Sequence, residues 1–140
     1  MTAPVAGRVV VDSSAVVALL ADAGPAGQWV ESLTVSAALF APHLLPFEVG
    51  NVLRRQAQAG ILDASAATLA HADLVALPID LYPYEVLADR AWELRANLTS
   101  YDAAYVALAE LLAAPLVTLD ERLARAPGPR CRMATYTGLP

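Results

Sequence analysis

The chain has 140 residues, 57% of them apolar, with a net charge of −5 and a single cysteine, Cys131. That length suits one domain with a core of useful size, and one cysteine excludes an intrachain disulfide and fits a reducing compartment. The acidic balance argues against a general nucleic-acid-binding surface, whose affinity comes largely from cations releasing counterions, but it leaves room for a local basic lip.

In chain order, residues 9–12 form a short β-branched run, Val-Val-Val-Asp. Ser13-Ser14, residue types that start helices, come next and lead into a helix over 15–21. Arg8, this apolar segment and the small residues around Asp22 invite comparison with a secretory leader, but Asp12, Ser13 and Ser14 near its start are poor for one. Gly24-Pro25 breaks the chain before a helix over 26–33. Residues 38–41 read as a strand ended by Pro42, and 44–59 as a helix closed by Gly60. Asp63 caps a helix over 64–77, Pro78 stops it, and 79–81 form a third short strand.

Helical spacing predicts a further helix over 85–97, followed by Ser100 as the cap of a helix over 101–112. Residues 116–119 read as a strand, 121–126 as a short helix, and 132–136 as a last edge strand. Strands alternating with helices imply a parallel sheet covered on both faces, with ligands bound at the carboxyl ends of the strands. No apolar run approaches a membrane span, and the cytoplasm is the expected location.

Four acids stand out: Asp12 after its valine run, Glu48 in Pro-Phe-Glu-Val, Asp102 in Thr-Ser-Tyr-Asp-Ala, and Asp120 after Leu-Val-Thr-Leu. Each has an ordinary structural use. Asp12 and Asp120 can cap the helices that follow them, and Asp102 in a first helical turn gains about 0.3–1 kcal/mol from the helix dipole. Glu48 is harder to dismiss, because it lies on the margin of an apolar stripe made by Leu45, Val49, Val52 and Leu53. If the fold brings the four together, they make a site for a hard cation of the kind that serves phosphate chemistry.

Other phosphate and metal sites fit poorly. All nine cations are arginine, so the lysine of a phosphate-binding P-loop, of a response-regulator receiver and of a haloacid-dehalogenase-type phosphatase is missing. His43, His71 and Cys131 are too scattered for zinc, and no Gly-x-Ser-x-Gly turn marks a serine hydrolase.

Val-Val-Asp-Ser-Ser-Ala-Val-Val-Ala-Leu resembles the opening motif of PIN-domain ribonucleases. Phe47-Glu48-Val49-Gly50-Asn51, Leu98 through Ala109, and Val117-Thr118-Leu119-Asp120-Glu121-Arg122-Leu123 resemble their later acidic motifs, in order. Size and layout are most similar to VapC-type toxins of bacterial type II toxin–antitoxin modules. The resemblance implies a single PIN domain over residues 1–140. Its fold would be three-layer α/β/α, a short-stranded parallel sheet flanked by helices.

It also implies a metal-dependent endoribonuclease in which a metal-activated water cleaves RNA. Asp12 and Asp102 would ligate Mg²⁺ or Mn²⁺, and Glu48 and Asp120 would hold metal-bound waters or orient the nucleophile. Ser13 and Thr118 would supply supporting hydroxyls, and Asn51 would orient Glu48 or contact RNA. Arg54, Arg55, Arg122 and Arg125 are the candidate basic lip, with solvated helix faces as the alternative for each. Carboxylates ~4 Å apart repel by roughly 4 kcal/mol per pair at an effective dielectric near 20, so four converging acids call for a cation. The expected partners are a cognate VapB-like antitoxin, the RNA substrate and a second copy of the chain in a homodimer or toxin–antitoxin hetero-oligomer, with no membrane. A non-toxin PIN nuclease in RNA processing and a catalytically silent PIN scaffold are the competing readings.

Overall fold

A computed structural model describes residues 7–137 of the chain. The outer limits of the expected domain, residues 1–6 and 138–140, lie outside the described residues. Five parallel strands form one sheet: β1 (Arg8–Val11), β2 (Ala38–Pro42), β3 (Ile79–Tyr82), β4 (Leu116–Thr118) and β5 (Met133–Thr135), in the order β3-β2-β1-β4-β5. Central β1 buries Val9, Val10 and Val11, as a strand covered on both faces must.

The chain winds outward from β1 to β3 through α1 (Ser13–Ala21), α2 (Pro25–Thr34), α3 (Leu45–Gln58) and α4 (Ala64–Ala76). It then returns through α5 (Ala88–Glu93) and α6 (Ser100–Leu112) to β4 on the other side of β1, and ends through α7 (Glu121–Arg125) in β5. Right-handed crossovers running in opposite directions put their helices on opposite faces. Accordingly α1 packs with α2, α3 and α4, while α6 packs on β1 and β2 with α5 against it. The result is the three-layer α/β/α arrangement. The direction of winding reverses between β1 and β4, the kind of switch point where such sheets bind ligands at the strands' carboxyl ends.

Helix α6 buries Ala103 through Ala109 without a break, and its alanines let neighbouring backbones approach closely. Thr99, rather than Ser100, caps it: the Asp102 amide donates to Thr99 Oγ1 at 3.1 Å. The continuous helix expected over 85–97 is instead broken. A single 3₁₀ turn at Tyr84–Val86 gives way to α5, with Leu87 (φ −109°, ψ −14°) as the joint and no side chain capping either piece. Three-residue bonds such as Arg95 N–H to Trp92 O at 3.2 Å continue beyond α5. The tighter winding still sends Leu87, Ala91 and Leu94 into the core. Among the described residues no helix is long and apolar enough to cross a membrane.

Leu45 and Phe40 belong to the core, and Tyr82 stands edge-on to Phe40 with ring centroids 6.0 Å apart. Trp29 packs near Tyr136, whereas Trp92 lies at the surface under the Arg95 guanidinium.

Candidate active site

Register builds the site. Val11 pairs with Val117 across the switch point, so the next residues, Asp12 and Thr118, stand side by side where the two strands end. Asp12 turns out of the sheet as the N-cap of α1, its Oδ1 accepting from the Ala15 amide at 3.0 Å. Oδ1 also accepts from Ser14 Oγ at 2.6 Å, and Thr118 Oγ1 donates to Oδ2. The two hydroxyls are themselves anchored by β4's trailing backbone: Leu119 N–H donates to Ser14 Oγ at 2.9 Å and Asp120 N–H to Thr118 Oγ1 at 3.0 Å. Asp12 is only 6% exposed. Burial pushes its carboxyl above the ordinary range, the Ser14, Thr118 and Ala15 donors pull it back, and the charge of Asp102 raises it further.

Glu48 lies in the first turn of α3, where a carboxylate suits the helix dipole. It is half-buried, and Tyr105 Oη donates to its Oε1 at 2.7 Å. Burial raises the Glu48 carboxyl, the Tyr105 hydrogen bond opposes that, and Asp102 and Asp12 add to the rise. Tyr105 is 1% exposed; burial and the Glu48 carboxylate hold its phenol firmly protonated, so it acts as a donor only. Asp102, one turn before Tyr105 on α6, is raised by burial and by Asp120, and lowered by Arg122 and by Thr99. Asp120 caps α7, its Oδ1 accepting from the amides of Arg122 at 2.9 Å and Leu123 at 3.3 Å.

Four segments distant in sequence thus place four acids in one electrostatically coupled group at the carboxyl edge of the sheet. Among the other expected residues, Thr118 touches Asp12 and is fully buried. The hydroxyl expected from Ser13 comes instead from Ser14, whose position two residues past the acid lets it reach back. Asn51 does not orient Glu48: its Oδ1 accepts from Arg54 Nε at 3.0 Å on the exposed side of α3. Arg54 also reaches Gln58 at 3.2 Å, Arg55 is exposed further along the same helix, and Arg125 pairs with Glu121 at 3.6 Å. Arg122 alone of the four arginines meets the acids, its Nη2 lying 3.5 Å from Asp120 and 3.9 Å from Asp102 while its side chain stays 81% exposed.

Sequence reasoning passed over Ser14 and Tyr105. The first was legible in the Asp-x-Ser spacing, and the second in the three-residue step from Asp102, which shares one helix face. As donors for an ion the site offers only hard oxygen ligands, and burial together with neighbouring carboxylates raises Asp12, Glu48 and Asp102, a strain that a divalent cation relieves. Among the described residues no three histidine, cysteine or acidic side chains are grouped so as to hold an ion by themselves.

The PIN domain family model matches residues 9–129. Ribonuclease VapC1 of Mycobacterium tuberculosis is 44% identical over 128 residues, covering 89% of this chain and 94% of that protein. Ribonuclease VapC9 of the same organism is 44% identical over 115 residues, covering 82% and 87%. The crystal structure of PAE2754 from Pyrobaculum aerophilum superposes with a TM-score of 0.64 at 27% identity, covering 93% of this chain and 86% of that one. The chain belongs to the PIN-domain family and, within it, to the VapC ribonucleases.

Proposed function

We propose that Asp12 and Asp102 of this VapC-type ribonuclease bind Mg²⁺ or Mn²⁺, and that Glu48 and Asp120 hold water and orient the nucleophile for hydrolysis of an RNA phosphodiester. The observation that carries this reading is the convergence of four acids at one edge of the sheet, where burial and neighbouring carboxylates raise Asp12, Glu48 and Asp102 and no lysine is present to neutralise them. When bound, the ion supplies positive charge between the acids, a ligand for phosphate oxygens and a lowered pKa for water.

The protein's own residues supply position. Ser14, Thr118 and the Ala15 amide fix both oxygens of Asp12 in one orientation. Tyr105 occupies Glu48 Oε1 and leaves Oε2 to take the proton of the attacking water, a transfer that the raised pKa of Glu48 favours. Arg122, exposed and already at the acids, turns to a phosphate oxygen when RNA arrives; Arg54, Arg55 and Arg125 contribute charge further out. Residues 1–140 act as one domain, a toxin in the cytoplasm, forming homodimers and held silent by a VapB-like antitoxin.

The test is cleavage of single-stranded RNA by the purified protein with Mg²⁺ or Mn²⁺ and with a chelator. Asp12→Asn should reduce cleavage by at least a thousandfold while the far-ultraviolet circular dichroism stays that of the parent. Cleavage by Asp12→Asn at the parent rate, or undiminished cleavage in chelator, would overturn the assignment. Expression without the antitoxin should arrest growth of a bacterial host, and co-expression of a cognate VapB-like antitoxin should relieve it.

A further inference from the structure

A second feature sits on the same edge of the sheet. A cavity of about 300 Å³ opens where β2 and β3 end, lined by Pro42, His43, Leu44, Tyr84, Ser100, Tyr101 and Ala104. Tyr84 is 49% exposed and Tyr101 63%, which is unusual for aromatic rings with an apolar cavity beside them. Strand β2 neighbours β1, so the cavity lies next along the edge from Asp12. The two sites share elements as well. Tyr101 and Ala104 line the cavity from the first turns of α6, while Asp102 and Tyr105, each one residue on, serve the acids. Leu44, on the cavity wall, accepts the Glu48 amide at 3.1 Å.

We propose that this cavity is a nucleobase subsite, taking one unpaired RNA base beside the scissile phosphate and stacking it on Tyr84 and Tyr101. The inference rests on the ribonuclease reading above. Among the described residues no acidic or arginine side chain lines the cavity and its walls are mainly apolar, so it suits a flat uncharged group. Tyrosine faces stack single-stranded bases with little sequence preference. His43, held at the rim by its backbone bond to Tyr82 O at 2.9 Å, supplies a ring nitrogen that can read a base edge. A strand whose phosphate reaches the acids has its neighbouring nucleotide at this opening, and that continuity selects RNA as the occupant.

The probe is a 2′-O-methyl RNA hexamer carrying one 2-aminopurine, titrated into the full chain in Mg²⁺, with an abasic hexamer as control. The parent should quench the 2-aminopurine. Tyr84→Ala and Tyr101→Ala should each weaken binding about tenfold and lose the quenching, the low end of what one base–aromatic stack supplies. Tyr84→Phe and Tyr101→Phe should restore both, and the abasic hexamer should bind parent and alanine variants alike. Parent-like quenching and affinity in both alanine variants would sink the proposal. So would alanine variants that turn a dimer into a monomer in sedimentation while each chain's RNA affinity is unchanged, which would assign the face to a second copy. Cleavage of ordinary RNA by the parent separates the two readings. If it cleaves and the tyrosines make no difference, only the subsite fails. If it does not cleave yet quenches in a tyrosine-dependent way, the base site stands and the ribonuclease reading fails.

Discussion

Two side chains at the site carry different kinds of work, and single substitutions separate them. Tyr105 is a positioning residue, acting through its 2.7 Å hydrogen bond to Glu48. Tyr105→Phe keeps the buried ring and removes the donor; a hydrogen bond to a charged group is worth about 1.5–3 kcal/mol, so kcat should fall roughly ten- to a hundredfold with KM little changed. Loss of a donor to the charged form raises the Glu48 carboxyl further, so the acid limb of the pH–rate profile should move to higher pH. An unchanged limb would show that Tyr105 serves only packing. Asp102 tests the repulsion itself. Its contact with exposed Arg122 at 3.9 Å contributes little, whereas burial and Asp120 oppose its charge. Asp102→Asn should therefore abolish cleavage yet raise the melting temperature of metal-free protein by about 2–4 °C, the shift expected of ~1 kcal/mol in a chain of this size. Calorimetry in chelator checks it, and a lower melting temperature would mean that the acids do not strain one another.

At the scale of elements, helix starts and corners hold the acids where the sheet ends. Asp12, Thr99 and Asp120 each cap a helix, so the segments that deliver acids are also the segments that begin helices. The corner between α1 and α2 depends on Gly27. A Cβ there would stand 1.8 Å from the Asp22 carbonyl and 2.7 Å from that of Ala18, both backbone atoms that cannot turn aside. Gly27→Ala should cost about 3 kcal/mol, the upper end of ordinary overpacking, read from urea unfolding. A loss below 0.5 kcal/mol, within the usual surface range, would show that the corner yields. Because α1 carries Ala15, which donates to Asp12, activity should decline with stability in this variant.

For the whole molecule, two sets of carboxyls act in opposite senses. Asp12, Glu48 and Asp102 have folded pKa values above their ordinary 3.8, 4.5 and 3.8, so their protonated forms favour the fold. That contribution is complete below the ordinary values and is lost as pH rises through the folded ones. Glu110 runs the other way. Burial works against its charge, but Arg90 Nε at 2.7 Å and the Arg130 amide at 2.7 Å outweigh it and lower its pKa from 4.5. Its contribution is present above 4.5 and is lost as pH falls through the lowered value. Metal-free protein should therefore have its stability maximum on the acid side of neutrality. Mg²⁺ or Mn²⁺ should raise the neutral-pH melting temperature of the parent, and not that of a variant lacking both Asp12 and Asp102 carboxylates. Equal shifts in the two proteins would count against a shared cation. Glu110→Gln should flatten the acid-side decline alone.

Much of this was legible in the chain itself. Valine runs, proline stops and capping residues marked the strands and most helices to within a residue or two, because those signals act locally. The four acids were legible for a related reason: each follows a strand or opens a helix, where a carboxylate is out of place unless it caps or binds. What needed the tertiary structure was everything set by register and by packing between distant segments. The pairing of Val11 with Val117 decides that Thr118 meets Asp12, and the approach of the first turn of α3 to α6 decides that Tyr105 meets Glu48. The break in the helix expected over 85–97 has no proline or glycine within it to announce it, and Leu87, Ala91 and Leu94 are buried as a continuous helix would have buried them. Local sequence determines which residues can start, stop or charge an element; only the folded chain determines which of them share a few ångströms of space.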